Sequence, residues 1–345
     1  MRLSTYLHFL RHALLLRLNP KHRVPLTVNV QILLRCSNRC LYCAQEHDAP
    51  TRLSLAVLKG VFDDAWRLGT RRIHLTGGEP LLREDLSEIV GYAKGKGFFV
   101  SLATNGFDAA KQLPALQRVD RVLLSFDGPF EVRERLCGRA SAEASAQAVA
   151  LFDEHRIPFW TTTVMSRPSL PHLDWIVAHA EAHRAQANFV LFMTQEERGG
   201  VRLHPAPEEV RALIPSEQED RAAVRRLLDL KRQGRAVGSS APYLEALLAW
   251  PDYGRLCSPR RSPLYRCLAW RSTCELLADG RLYSCDWSMK TQPGLSVVEH
   301  GFARAFELLP RVQGCRSCAN SCCLEANLIF SLNPRTVFNW IRHLS

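Results

Sequence analysis

The chain has 345 residues, of which 46% are hydrophobic and 23% charged, with a net charge of +11. That suits one large domain, or one with a smaller companion, and excludes a disordered, collagenous or coiled-coil chain. No uncharged apolar run reaches the roughly 18 residues of a membrane span. The basic excess is mostly arginine and forms no run or stripe, so no nucleic-acid partner is expected.

Residues 1–26 form an N-terminal extension. Met1–Leu18 reads as an amphipathic helix with Leu3, Tyr6, Leu7, Leu10 and Leu14 on one face. That face is expected to pack on its own domain, with peripheral membrane contact as the alternative. Arginines at 2, 11 and 17, and the lack of a small-residue cleavage site, argue against a secretory signal and for a cytoplasmic protein.

Residues 27–205 alternate strand-like and helical patterns. The strands are Thr27–Leu34, Arg72–Thr76, Phe98–Ala103, Arg121–Ser125, Phe159–Val164 and Asn188–Phe192. In the helical stretch Leu55–Leu68, Leu58, Val61, Phe62 and Ala65 keep helical spacing, and Ser54 is a fair N-cap. Further helices fit Leu86–Lys96, Ala142–Glu154 and His172–His183. Six such units predict an α/β fold with a parallel sheet, too short for eight strands: a partial (β/α)6 barrel. Ligands of such sheets sit at the carboxyl ends of the strands. Residues 206–256 read as a helical linker, 257–330 as a small cysteine-rich α+β domain, and 331–345 as a C-terminal docking helix.

Of twelve cysteines, eleven fall in two groups, three near the start and eight from Cys257 onward, with Cys137 alone between them. Clustered cysteines without a secretory signal point to metal rather than disulfides. Cys36, Cys40 and Cys43 follow the first strand directly. Soft thiolates select zinc or iron–sulfur. Structural zinc needs four ligands, and no further cysteine follows for over 90 residues. A cube of four irons on three thiolates leaves one iron open to a chelating ligand. The second strand ends in Thr76-Gly77-Gly78-Glu79-Pro80. Its glycines admit a ligand close to the backbone, and Glu79 suits an ammonium group.

Together these residues resemble the radical S-adenosylmethionine (SAM) superfamily. The loop Cys36, Cys40, Cys43, with Tyr42, is similar to its cluster-binding motif. Gly77, Gly78, Glu79 and Pro80 resemble the stretch that receives the methionyl amino group. Asn105 in Thr-Asn-Gly, and Ser125 and Asp127 in Ser-Phe-Asp-Gly-Pro, match strand-end positions, Ser125 near the ribose. The resemblance covers about residues 27–195. It implies a [4Fe-4S] cluster whose open iron binds SAM, and a 5′-deoxyadenosyl radical that takes hydrogen from a substrate C–H bond.

Cys267 and Cys285 flank an Asp-Gly hairpin signal, and Cys315-Arg-Ser-Cys318 adds a metal-gripping pair. A zinc ribbon fits that spacing. After a radical SAM core, the layout resembles the SPASM/twitch extension, which implies at least one auxiliary [4Fe-4S] cluster on Cys267, Cys285, Cys315 and Cys318. Cys274, Cys322 and Cys323 are possible further ligands for a second. Cys137 and Cys257 are read as ordinary buried thiols.

The expected function is hydrogen abstraction followed by oxidation or cross-linking of a small molecule or peptide. Flavodoxin or ferredoxin is the expected electron donor. Only 35 residues precede Cys36, which argues against an N-terminal domain of about 80 residues for recognising a leader peptide. The alternative is a non-catalytic zinc-stabilised binding module, with nucleic acid as its candidate ligand. No catalytic acid or base is assigned.

Overall fold

The computed structural model describes residues 3–43, 48–192, 208–253, 255 and 257–344. Six strands pair in parallel in sequence order: β1 (Thr27–Gln31), β2 (Arg72–Thr76), β3 (Phe99–Thr104), β4 (Arg121–Ser125), β5 (Phe159–Met165) and β6 (Gln186–Leu191). This is the partial (β/α)6 barrel expected. Alternate residues such as Val28, Val30, Ile73, Leu75, Val100 and Leu102 belong to the main core and are fully buried. The helix Leu55–Leu68 supplies Leu58, Val61, Phe62 and Ala65 to the same core. Each large side chain so buried contributes about 1.5–3 kcal/mol. The Ser54 hydroxyl accepts the Val57 N–H, and Gly69 ends the helix at φ +104°.

The cysteine-rich stretch is joined to this sheet. A two-residue β7 (Cys257–Ser258) pairs apart from it, with β11 (Ser317–Cys318). β8 (Thr273–Leu276) runs parallel to β1, with Cys274 opposite Val28 and Glu275 opposite Asn29. β9 (Arg281–Tyr283) and β10 (Leu295–Ser296) extend the same sheet antiparallel. The expected hairpin turn is present, with Gly280 at φ +84°. The stretch expected as a linker is partly core: helix Glu217–Arg232 places Val224, Leu227 and Leu228 against the barrel's own cluster.

The N-terminal helix (Leu3–Leu18) differs from expectation in its orientation. It buries Phe9, Ala13 and Leu16 and leaves Leu7, Leu10 and Leu14 in solvent. The reason is compositional. The helix is apolar on both sides, so its pattern does not choose the inner face. The aromatic side wins because Phe9 packs on Phe330 and Trp340, and Tyr6 on Trp340. Among the described residues, no helix is long and apolar enough to cross a membrane.

Candidate active site

Cys36, Cys40 and Cys43 line one cavity of about 180 Å³ at the carboxyl ends of the strands. Tyr42, Gly77, Gly78, Asn105 and Ser125 share its walls, so most of the expected cofactor residues converge here. The glycines are required by close approach. A Cβ on Gly77 would stand 2.4 Å from the Leu33 carbonyl oxygen, and one on Gly78 would stand 2.1 Å from that of Leu34. The Gly78 and Glu79 N–H groups bond the Leu33 and Arg35 carbonyls, which pins the strip beneath the cysteine loop.

Three expected cofactor residues stand outside the cavity wall. Pro80 is buried and opens a short 3₁₀ turn. Glu79 was assigned to an ammonium group, but its carboxylate is held within the protein. Oε1 accepts from the Leu81 N–H and the Thr104 hydroxyl, and Oε2 accepts from the Asn105 N–H. Burial raises its pKa to about 7 against these three donors. Asp127 accepts from the Tyr42 hydroxyl at 2.6 Å and the Val164 N–H at 3.0 Å. Burial pushes its carboxyl up, and Arg133 opposes that shift. Both carboxylates thus fasten loops to one another: Glu79 joins the ends of β2 and β3, and Asp127 ties the cysteine loop to the end of β5.

Among the cavity residues that the sequence did not mark, two carry chemistry. Arg133 is fully buried, and its Nη1 lies 3.6 Å from Asp127 Oδ2 without a hydrogen-bond partner. It lines the cavity, so it is placed to receive a ligand carboxylate. Removing one partner of a buried ion pair is far costlier than the pair is worth. Arg133→Met is therefore expected to cost about 3 kcal/mol, read as a lower denaturant midpoint of the metal-free protein. Cys137, read as an ordinary thiol, stands within hydrogen-bonding reach of the Cys40 thiol inside the same cavity. That contact and burial push the Cys40 thiol up, and burial, helped by the charges of Glu79 and Cys43, raises Cys36 to about 11. Bound iron would reverse both by stabilising the thiolates.

One inward position below, about 7 Å along the strands, lies a second cavity of about 200 Å³ in the barrel lumen. Glu275, Asn29, His74 and Ser101 form one continuous row across β8, β1, β2 and β3. Asn29 Nδ2 donates to Glu275 Oε1 at 2.6 Å, and His74 Nδ1 meets Ser101 Oγ at 2.9 Å. Burial lowers the His74 pKa to about 4, so the ring is neutral at physiological pH. Cys323 lines this lumen too.

Cys323 belongs to a second thiol group. Cys257, Cys267, Cys285, Cys315, Cys318 and Cys323 pack together. The β7–β11 pair sets Cys257 opposite Cys318, and the Tyr265 hydroxyl binds the Cys318 backbone from both sides. The expected four are therefore together, with Cys323 and the unforeseen Cys257. Cys274 is not with them. It points into the main core, fully buried, with Glu275 and Arg23 among its charged neighbours. The Cys322 side chain lies outside the described residues. Among the described residues, no three His, Cys, Asp or Glu side chains converge on a single ion. The thiols surround spaces instead. Soft sulfur on both spaces, the glycine cradle and the unsatisfied Arg133 Nη1 fit thiolate-held iron–sulfur clusters with SAM beside the first.

Residues 30–168 match the Radical SAM superfamily. Those residues thus carry a radical SAM domain, and the chain as a whole shares its fold with the solved structures below. It is similar to the PqqA peptide cyclase of Ruegeria pomeroyi, 29% identical over 244 residues, which are 68% of this chain and 62% of that protein. It also resembles the PqqA peptide cyclase of Granulibacter bethesdensis, 27% identical over 46% of this chain and 44% of that one. The chain thus spans less than two thirds of these curated relatives. Among solved structures, Streptococcus suis SuiB bound to precursor peptide SuiA shares the fold. Its TM-score is 0.66 at 13% identity, over 86% of this chain and 67% of that one. Native anSMEcpe with bound AdoMet and Cp18Cys peptide shares it at TM-score 0.60 and 15% identity, over 93% and 100%.

Proposed function

We propose that the chain is a SAM-dependent radical enzyme that oxidises or cross-links a peptide held in the barrel lumen. The observation that carries this is the placement of the lumen cavity. Its walls include His74 and Ser101, one inward step below the SAM-level residues Thr76 and Ala103, and also Cys323 of the second thiol group. A substrate there stands between two metal-binding thiol sets. The peptide class is taken from the relatives named peptide cyclase and from the peptide bound by SuiB.

Cys36, Cys40 and Cys43 would hold the first [4Fe-4S] cluster. Cys267, Cys285, Cys315 and Cys318 would hold an auxiliary one, with Cys257 and Cys323 as further donors. With cluster and SAM bound, one electron splits the sulfonium and yields the radical that takes the substrate hydrogen. The protein's own part is positional. Arg133 receives the methionyl carboxylate, Gly77 and Gly78 let SAM lie against the backbone, and Ser125 borders the ribose. Neutral His74 faces the lumen as a proton acceptor. A flavodoxin or ferredoxin supplies the electron. Free thiols along the chain suit a reducing cytoplasm.

The test is 5′-deoxyadenosine formation by anaerobically reconstituted protein under dithionite. Wild type is expected to form it, Cys40→Ala to lose at least a hundredfold, and Cys137→Ala to keep both iron and activity. Zinc lost from both variants would instead establish a four-thiol zinc site and sink the enzyme reading.

A further inference from the structure

The helix Leu3–Leu18 carries large apolar side chains on two sides, yet it lies on the surface. Its inner side is satisfied by Phe330 and Trp340. Its outer side carries Leu7, Leu10, Leu14 and Leu18 at 58%, 47%, 44% and 77% exposure. At 3.6 residues per turn these four fall within an arc of about 80°, so they make one ridge rather than scattered contacts. Arg11 borders the ridge on one side and Arg17 on the other, both exposed. Lys21 follows in the exposed chain just beyond the helix. Among the described residues, none of these three cations has an ion-pair partner.

The charge around the ridge is one-sided. No Asp or Glu occurs before Glu46. The C-terminal helix (Pro334–Leu344), whose Trp340 packs on Tyr6 and Phe9, also lacks acids, and it exposes Phe338 and Ile341 at 68% and 45%. Two copies meeting ridge to ridge would bring like charges together with no carboxylate between them. An anionic lipid surface satisfies both features at once. The leucines enter the acyl boundary, while the arginines reach the headgroups from either edge.

We propose that the outer face of the N-terminal helix docks the protein on anionic membrane surfaces. This holds whether or not the enzyme reading stands, since the face lies outside both thiol sites. The test is co-sedimentation of the cluster-loaded protein with vesicles of 30% phosphatidylglycerol in phosphatidylcholine, against phosphatidylcholine alone. Wild type is expected to bind the anionic vesicles at least tenfold more tightly, and to lose that margin in 0.5 M salt. L10E/L14E is expected to abolish binding. R11E/R17E is expected to abolish the anionic preference. Circular dichroism and iron content of both variants check that the fold is kept, since all four positions are exposed. Equal binding to both vesicles, no binding by wild type, or a dimer that L10E/L14E converts to monomer would each overturn the proposal.

Discussion

Gly78→Ala is expected to abolish SAM cleavage and to cost about 3 kcal/mol of stability. The new Cβ would lie 2.1 and 2.2 Å from the carbonyl oxygens of Leu34 and Arg35. Both neighbours are backbone and cannot rotate aside. They are also the two residues before Cys36, so relief of the clash moves the cysteine loop itself. The measurement is the denaturant midpoint of the metal-free protein, with SAM binding and iron content after reconstitution. Gly95→Ala is the control. It lies in the helix Leu86–Lys96 with nothing within 4 Å of its Cβ, and it is expected to stabilise by about 0.5–1 kcal/mol. If both variants behave alike, crowding at the strip is not what holds the loop.

Cys257→Ala and Cys274→Ala are expected to differ sharply. Cys257 packs within the second thiol group, in hydrogen-bonding reach of the Cys315 thiol, so its loss should reduce iron per chain and open the C-terminal stretch to protease. That stretch has little else inside it. Its local cluster is cysteines with Ala269, Val312 and Trp287. Cys274 is fully buried between strands of the main sheet. Its replacement should leave iron unchanged and cost about 1 kcal/mol. Iron and sulfide determination with limited proteolysis decides the matter, and iron lost from the Cys274 variant alone would reverse the assignment.

These two cysteines also show where the sequence is silent. The six parallel strands, the cysteine loop and the Gly-Gly strip were legible because each is local: period two, period 3.6, or a short spacing. Ligand identity at the second site was not. Cys274 was a candidate by spacing, yet one step of strand alternation turns it to the core and Glu275 to the lumen. Cys257 sits in no motif and joins the group through pairing with Cys318, 61 positions away. Arg133 and Cys137 enter the cavity of the Cys36 loop from the helix Phe130–Cys137, and no local pattern marks them. Glu79 stands out in the Gly-Gly-Glu-Pro stretch, but its three donors come from two separate loop regions, including the Thr104 hydroxyl and Asn105 N–H at the next strand end. The face chosen by the N-terminal helix depended on partners at 330 and 340.

The pairing of β8 with β1 has a mechanical consequence. β8 leads through its hairpin to Cys285, and the chain that leaves β1 enters the Cys36 loop. Cys285 and the Cys36 loop therefore ride on strands of one hydrogen-bonded ladder. Neither can swing away without tearing the sheet. The span of the lumen is set like the jaws of a locked calliper, so a guest is gauged by its reach between two fixed walls rather than embraced by closing ones.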